Sequence, residues 1–375
     1  MQLERDEDEL ALGEGIERMV SGCAEASCTT EDRAAMLWRT MIADGWVGLA
    51  LPEHRGGVGG SLDLLCTMME QCGRHALVTP FFSSIMLGAR LLAETDAAGK
   101  WNDLLGETAA GDRLLAFAHE ELATAYGEAR ATIAQRAGDG WRITGHKIAV
   151  LGAGAASHLL VSASAEGGAA LFLLDRNDPG LTLRPYPTLR GEDAADIAID
   201  ATVPDEALLA LDAGEAIDRL TDAALVALCS EAVGAMRWLI DATADYAAIR
   251  KQFGRPLAEF QVIQHRLAEM AVQLEDARAA TQLAIVTAGD PDRCGRAAST
   301  AKLVTGSAAA FVGEQAIQLH GAMGVTEELP VGRYVRLLTA FDYLLGDSDA
   351  HIARYARTVI GPGLQRFSVI LGAAA

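Results

Sequence analysis

The sequence predicts an α+β protein with an N-terminal helical domain, a central antiparallel β-barrel domain and a C-terminal four-helix bundle. Two observations carry this prediction: apolar residues recur at helical spacing in the first and last parts of the chain, and short alternating runs lie between them. Aromatic residues make up only 5% of the chain, a composition that favours helices over a large β-sandwich. The predicted domains are residues 1–111, 112–213 and 214–375.

The first domain is predicted from a helical repeat that begins after a cluster of glycines. Residues 56–60 read Gly-Gly-Val-Gly-Gly. Serine is a residue type that caps helices, and directly after Ser61 apolar residues follow at helical spacing (Leu62, Leu65, Met69). The cluster lacks the Gly-Lys-Ser/Thr ending of a phosphate-binding loop. We therefore interpret it as a tight turn between two helices.

The central domain is predicted from several short strands with no helix between them. Residues 140–145 and 197–199 alternate between apolar and polar types, while 158–163 and 170–174 are short apolar runs. Residues 175–180, Asp-Arg-Asn-Asp-Pro-Gly, form a turn signal after the second run. Strands at such short intervals are typical of a small antiparallel barrel.

The C-terminal domain is predicted from the return of the helical period. One helix face carries apolar residues three or four positions apart (Cys229, Val233, Met236, Ile240). Residues 254–256, Gly-Arg-Pro, then break the helix, because proline lacks the amide proton and clashes with the preceding turn. An antiparallel helix pair around this break fits a four-helix bundle.

Charge and composition exclude several classes of function. The chain has 31 basic and 51 acidic side chains, and the net charge of −20 argues against a nucleic-acid partner or a polybasic membrane surface. Six cysteines, at positions 23, 28, 66, 72, 229 and 294, form no C-x-x-C pair, and the eight histidines lack the spacing of a metal site. We expect free thiols and no metal.

The sequence also bears on location. No apolar run reaches the length of about 18 residues that a transmembrane helix requires. The first nine residues are acidic and lack the basic region and apolar core of a signal peptide. We therefore expect no membrane partner and a cytoplasmic location.

Four segments together resemble the acyl-CoA dehydrogenase family. Residues 51–59 (LPEHRGGVG) resemble its PE-x-x-GG-x-G turn, and residues 140–147 resemble its central-domain strand motif. Residues 250–261 resemble its R-x-x-FG-x-x-L…Q segment, and residues 318–324 its Q-x-x-G-x-x-G segment. The segments occur in the family's order over nearly the whole chain, and the three-part organisation matches the family's fold.

This resemblance implies FAD, shared across a subunit interface, and an acyl-CoA thioester substrate. In the family a glutamate takes the α-proton of the substrate while the β-hydride passes to the flavin. Arg250 would contact the FAD pyrophosphate, and Phe253 and Gln261 would line the same groove. On the adenosine side the resemblance places four residues of the second segment (Gln318, His320, Gly321, Gly324).

The half-site that would hold the flavin ring departs from the family pattern at three places. Residues 119–121 read His-Glu-Glu where the family has Thr-Glu-Pro, and residues 149–151 read Ala-Val-Leu where it has Trp-Ile-Thr. Leu345 occupies the position of the catalytic glutamate, and leucine cannot accept a proton. Glu231 and Asp342 are candidates for a relocated base, although such acids are more often structural or solvated.

The combination of an intact and a degraded half-site is similar to the small subunits of bacterial heteromeric acyl-CoA dehydrogenases. This resemblance implies a catalytic partner subunit of the same fold, in a dimer or an α2β2 tetramer, whose FAD site the chain would complete. Two alternatives stay open: a self-sufficient homo-oligomer with a relocated base, and a flavin-free thioester-binding scaffold. No motif defines the acyl substrate.

Overall fold

The structure, a computed structural model, describes residues 7–26, 29–122, 130–325 and 329–360. Cys28 and the first six residues of the acidic N-terminus lie outside the described residues. The predicted α+β class is confirmed, since helical segments precede and follow a central sheet.

The N-terminal part consists of short helices around the glycine-rich turn. The helices are α1 (Glu7–Ala24), α2 (Thr30–Ala43), α3 (Leu62–His75), a π-helix (Phe81–Ala89) that continues into α4 (Arg90–Thr95), and α5 (Asn102–Ala109). The predicted N-cap is confirmed, because the Ser61 hydroxyl accepts a hydrogen bond from the Leu64 amide at 3.3 Å. Residues 56–60 form the predicted turn, in which Gly56 and Gly59 have φ of +81° and +70°.

The central part is an eight-stranded sheet. Its strands are β1 (Leu115–Ala118), β2 (Ile133–Ala137), β3 (Gly140–Leu151), β4 (His158–Ala165), β5 (Gly168–Asp175), β6 (Leu181–Pro187), β7 (Asp193–Pro204) and β8 (Leu208–Ala210). The order is β6-β7-β3-β2-β4-β5-β8, with β1 added to β4.

The sheet differs in two respects from the predicted antiparallel barrel. Strand β1 pairs with β4 in parallel, and β2 also meets β4 in parallel at one position, Ile133 opposite Ser164. Among the described strands, β6 and β8 are the two ends of the pairing path and do not pair with each other. The parallel pair has a physical reason, because all four residues of β1 are buried, as is usual for parallel strands.

The C-terminal part is a helical bundle built around one long helix. The helices are α6 (Gly214–Ile249), α7 (Gln261–Thr287), α8 (Cys294–His320), α9 (Val331–Tyr343) and α10 (Ser348–Ile360). A short hairpin, β9 (Lys251–Gln252) and β10 (Arg255–Pro256), joins α6 to α7 at the predicted break. Helix α6 packs against α7, α8 and α9, and also against α3 of the N-terminal part.

Helix α6 is long and apolar enough to cross a membrane if only its length and composition are considered. However, 78% of its most apolar stretch is buried inside the fold. This burial is what the core helix of a bundle shows, and the composition of α6 is therefore weak evidence for a membrane span.

Helices α3 and α6 cross at two glycines that allow their backbones to touch. A Cβ atom on Gly234 would lie 1.9 Å from the Glu70 carbonyl oxygen of α3. A Cβ atom on Gly73 would lie 1.9 Å from the Glu231 carbonyl oxygen of α6. These distances are far below van der Waals contact with rigid backbone, so the crossing requires glycine on both helices.

We expect Gly234→Ala to destabilise the protein by about 1–3 kcal/mol or more, because the added methyl group must push two helix backbones apart. Gly22→Ala is the matched control, since its Cβ would meet nothing within 4 Å on α1. That control should be neutral or more stable by up to about 1 kcal/mol, because alanine favours the helix. Denaturant unfolding of both variants measures the difference. Equal stability of the two variants would contradict this close approach.

Candidate functional site

The first predicted cofactor segment forms the end of α6 and the hairpin that follows. Arg250 caps α6 in an extended conformation and its side chain is exposed. The hairpin turn consists of Phe253 and Gly254, with φ of +51° and +83°, so both central residues are left-handed, as in a type I′ turn. Gln261, the first residue of α7, is also exposed.

Phe253 is the most unusual residue of this segment. Its side chain is 93% exposed, so the ring gains none of the free energy that burial of an aromatic side chain provides. A non-glycine residue in the left-handed region costs about 1–2 kcal/mol. The ring lies edge-on to Phe260 at 6.3 Å, and the Arg255 guanidinium stacks on Phe260 at 4.0 Å. A strained, exposed aromatic ring beside exposed cations is typical of a surface that contacts a ligand or partner.

The second predicted segment lies at the end of α8, and only part of it faces outward. Gln318 and Gly321 are exposed, and Gly321 has φ of +64°. The His320 ring is buried, where its Nδ1 lies 2.9 Å from the Ala316 carbonyl oxygen. Gly324 is also buried, and a Cβ atom there would lie 3.1–3.2 Å from His320 and Ile317. His320 and Gly324 therefore pack inside the end of α8, and their predicted place on the adenosine side is not at the surface of this chain.

The fold brings the two segments to the same end of the bundle. The Tyr246 ring, one turn before Arg250, stacks on the His320 ring at 4.4 Å, and the Tyr246 hydroxyl lies 3.5 Å from the His320 carbonyl oxygen. Arg266 of α7 donates a hydrogen bond to Gln315 of α8 at 2.5 Å. The exposed residues at this end are here called the bundle-end surface (Arg250, Phe253, Gln261, Gln318, Gly321).

In the central part, polar groups at the end of β1 bond to one another. The His119 ring stacks on Phe117, and its Nδ1 lies 2.9 Å from the Ser162 hydroxyl. The buried Lys147 donates to the Glu121 carboxylate at 2.6 Å and to the His119 carbonyl oxygen at 3.1 Å. The Glu121 carboxylate also accepts from the Thr132 hydroxyl at 2.6 Å. These groups form a closed network inside the sheet.

The network determines the charge state of its members. Burial alone would raise the pKa of Glu121, but hydrogen bonds from Lys147 and Thr132 outweigh burial and lower that pKa to about 2. Burial lowers the pKa of Lys147 to about 8, although Glu121 opposes the change. Burial, with Arg130 and Lys147 nearby, lowers the pKa of His119 well below its usual range. The imidazole is therefore neutral at pH 7, while the ion pair beside it is charged.

The second predicted departure from the family pattern, residues 149–151, lies partly at Asp196 and partly in the core. Ala149 has φ of +50°, and its amide donates to the Asp196 carboxylate at 3.2 Å. The same Asp196 oxygen accepts from the Tyr186 hydroxyl at 2.9 Å. Leu151 is buried in the main hydrophobic core. The side chains of Ala149 and Leu151 thus offer neither an aromatic wall nor a hydroxyl donor.

The loop between α9 and α10, which carries Leu345, is held by buried donors. Lys302 donates to the carbonyl oxygens of Phe341 and Leu344, the latter at 2.9 Å. His351 Nε2 donates to the Leu345 carbonyl oxygen at 2.8 Å. Leu345 has φ of +55°, and its side chain packs on the core. The backbone at Leu345, the predicted base position, is therefore held by buried hydrogen bonds, and a leucine side chain cannot take a proton.

Glu231 is buried in an ion pair. Arg190, in the loop between β6 and β7, donates to both carboxylate oxygens of Glu231, one of them at 2.9 Å. Arg190 Nε also lies 2.8 Å from Glu192. Burial raises the pKa of Glu231, and the Arg190 charge opposes this. Because both of its oxygens are bound to a guanidinium, Glu231 is a structural acid in this conformation.

Asp342 and Asp347 have local partners as well. The Asp342 carboxylate accepts from the Ser348 hydroxyl at 3.2 Å and lines a cavity of 390 Å³ between α8 and α9. The Asp347 carboxylate accepts from the Ala350 amide at 2.9 Å, as an N-cap of α10 does. Asp342, one of the candidate bases, therefore borders a cavity.

Two buried cations were not predicted from the sequence: Arg190, which pairs with Glu231, and Lys302, which binds the loop that carries Leu345. Arg190 lies 41 residues before Glu231, and Lys302 lies 42 residues before Leu344. Neither spacing belongs to a local motif. Lys302 could have been noticed only as a lysine inside an otherwise apolar helix stretch, since such a lysine needs a buried partner.

Within the described residues, no group of three or more potential metal ligands is found. The described cysteines are free (Cys23, Cys66, Cys72, Cys229, Cys294). Burial raises the pKa of Cys66 and of Cys229 to about 12, so these thiols are not reactive thiolates at neutral pH.

Comparison with known proteins identifies the family. Residues 216–360 match the acyl-CoA dehydrogenase C-terminal domain model. The human mitochondrial short-chain specific acyl-CoA dehydrogenase is 30% identical over 309 residues, which cover 78% of this chain and 74% of that protein.

Two solved structures share the fold over almost the whole chain. The Tcur3481-Tcur3483 steroid ACAD variant has a TM-score of 0.83 and 31% identity, and the match covers 94% of this chain and 98% of that one. The ChsE4-ChsE5 complex from Mycobacterium tuberculosis has a TM-score of 0.85 and 25% identity, with 96% and 99% covered. The chain therefore belongs to the acyl-CoA dehydrogenase family of FAD-dependent oxidoreductases that act on acyl-CoA thioesters.

Proposed function

We propose that this chain is the non-catalytic subunit of a cytoplasmic, hetero-oligomeric acyl-CoA dehydrogenase. Its bundle-end surface would complete the FAD site of a catalytic partner of the same fold, in a dimer or an α2β2 tetramer. The observation that carries the proposal is the contrast between an exposed bundle-end surface and a base position occupied by Leu345, whose side chain packs on the core.

The bundle-end surface fits the phosphate-bearing part of FAD. Arg250 offers a guanidinium that no partner in its own chain occupies among the described residues, and guanidinium binds phosphate through charge-assisted hydrogen bonds. Gly321 is exposed in a left-handed conformation with no heavy atom near its Cβ position, so a ligand can approach its backbone closely. The exposed Phe253 ring would be buried once cofactor and partner are in place.

The chain's own central part fits the flavin ring poorly. The polar groups at the end of β1 bond to one another through Lys147, and the Ala149 amide is taken by Asp196. Breaking such bonds to bind a ring would leave buried groups unpaired, at about 1–3 kcal/mol for each group. The loss of the aromatic wall and of the hydroxyl donors removes contacts that could offset this cost.

The surroundings of Leu345 and Glu231 support a partner that supplies the base. FAD, when bound, accepts the hydride from the β-carbon of an acyl-CoA. This chain holds Glu231 in an ion pair and has Leu345 at the base position, so its own residues would bind and orient the cofactor rather than move a proton. Two proteins of similar fold, Tcur3481-Tcur3483 and ChsE4-ChsE5, each carry the names of two different chains, and this supports a hetero-oligomer.

Co-expression tests the proposal. We expect the chain alone to purify without flavin absorbance, and a complex with a catalytic chain that carries the Thr-Glu-Pro segment and the catalytic glutamate to be yellow and active. In that complex Arg250→Met should weaken FAD binding about ten-fold or more, because a charge-assisted contact to phosphate is lost. Arg142→Met is the matched control, since that arginine pairs with Asp200 on the exposed face of the sheet.

Three outcomes would contradict the proposal in different ways. Stoichiometric FAD and acyl-CoA turnover in the chain alone would establish the self-sufficient homo-oligomer instead. A complex that never contains FAD would support the flavin-free thioester-binding scaffold. Equal FAD affinity of the Arg250→Met and Arg142→Met complexes would show that the bundle-end surface does not bind the cofactor.

The role of Glu231 can be tested separately. We expect Glu231→Gln to lower the free energy of unfolding by about 3 kcal/mol, because the buried Arg190 loses a carboxylate bound at two oxygens and keeps only Glu192 as a charged partner among the described residues. The control Glu215→Gln alters an exposed pair with Arg219 and should cost less than about 1 kcal/mol. Denaturant unfolding measures both. A Glu231→Gln variant of unchanged stability whose complex loses all turnover would identify Glu231 as a base after all.

A further inference from the structure

A second feature of the molecule, away from the bundle-end surface, is a cavity between the glycine-rich turn and α4. Its volume is 720 Å³. One wall is formed by the turn and the residues before it, and the opposite wall by α4 and the segment after it. Both walls contribute small or apolar groups (Leu49, Leu51, Pro52, Ala93, Ala97, Gly99).

Arg90 lines this cavity and forms no ion pair with any of the described residues. Among the described residues, no carboxylate oxygen lies within 4.0 Å of its guanidinium, and its one hydrogen-bond contact is to the Met86 sulfur at 4.0 Å. The side chain is partly buried, and this burial lowers the pKa of Arg90. A partly buried cation without a partner is costly, so such residues are usually paired or serve a ligand.

The acid of the same helix attracts Arg90 electrostatically but forms no close ion pair with it. Glu94 lies one turn further along α4, but its carboxylate accepts from Arg219 of α6 at 2.6 Å and 3.2 Å. Arg90 and Glu94 also line a neighbouring cavity of 900 Å³ beside α6. The positive charge of Arg90 is therefore left available at the boundary of the two cavities.

A second buried arginine stands in the wall of the smaller cavity. Arg55 is the last residue of a short helical turn, Glu53–Arg55, directly before the glycine-rich turn. Its guanidinium donates to Asn102 at 2.8 Å and to the Asp96 carbonyl oxygen. Its side chain is 7% exposed, and its Nε is buried without a hydrogen-bond partner among the described residues. The Asp96 carboxylate, 3.8 Å from Arg55, balances the charge of that guanidinium, so Arg90 is the arginine of the cavity wall that has no carboxylate within 4.0 Å among the described residues.

We propose that this cavity binds a small organic anion, with a carboxylate or phosphate group on Arg90 and a short apolar body against the alanine and leucine wall. Guanidinium recognises both oxyanions through paired hydrogen bonds. The apolar wall would favour a ligand with a few methylene groups over an inorganic ion. This site is independent of FAD and of the proposed partner subunit, so it can be tested on the chain alone.

The probes are sodium hexanoate and inorganic phosphate, added to the full chain at constant ionic strength and followed by calorimetric titration and thermal unfolding. We expect saturable binding at one site and a rise in the unfolding temperature. Arg90→Met should weaken binding about ten-fold or more. Arg113→Met, which removes an exposed arginine paired with Glu107, should leave it unchanged. Without ligand, Arg90→Met should unfold at the same or a higher temperature, because it removes an unpaired charge.

A second variant keeps the proposal testable if Arg90→Met fails to fold. Glu94→Gln removes the negative charge from the cavity wall and should tighten anion binding several-fold. Binding of hexanoate alone would support a carboxylate ligand, and binding of phosphate alone a phosphate-bearing one. The proposal is overturned if neither probe binds, or if Arg90→Met binds them as well as Arg113→Met does.

Discussion

The buried ion pair between Arg190 and Glu231 is the interaction on which the arrangement of sheet and bundle depends. The guanidinium belongs to the loop between β6 and β7, and the carboxylate to α6, the central helix of the bundle. Both side chains are almost wholly buried, and a buried charge is tolerable only while its partner is present. The same two hydrogen bonds that hold the loop against α6 also remove Glu231 from proton transfer. Structural and catalytic uses of one carboxylate exclude each other here.

The loop between α9 and α10, which carries the predicted base position, is held mainly through its backbone. Lys302 and His351 bind carbonyl oxygens of this loop, and Asp347 caps the helix that follows. These bonds are made to main-chain atoms and do not depend on the side chain of Leu345. Burial lowers the pKa of His351 to about 4, so the imidazole stays neutral and its Nε2 proton remains in place at neutral pH.

The two half-sites differ in where their polar groups find partners. In the central part, Lys147, Glu121 and the Ala149 amide are satisfied by neighbours in the same chain. At the bundle end, the side chains of Arg250 and Gln318 are exposed to solvent. A ligand must break internal bonds in the first case and displaces only water in the second. This difference in cost is the physical basis of the proposal that the chain completes a partner's cofactor site.

The sequence by itself determined the α+β class, the start of α3 behind Ser61 and the break at residues 254–256, because each depends on spacing and residue types within one or two turns. The tertiary structure alone decided that β1 pairs in parallel, that His320 points inward and that Glu231 meets Arg190. Each of these outcomes depends on which distant segments become neighbours. Local spacing carries no information about such pairing, since burial and charge compensation arise only once the chain has folded.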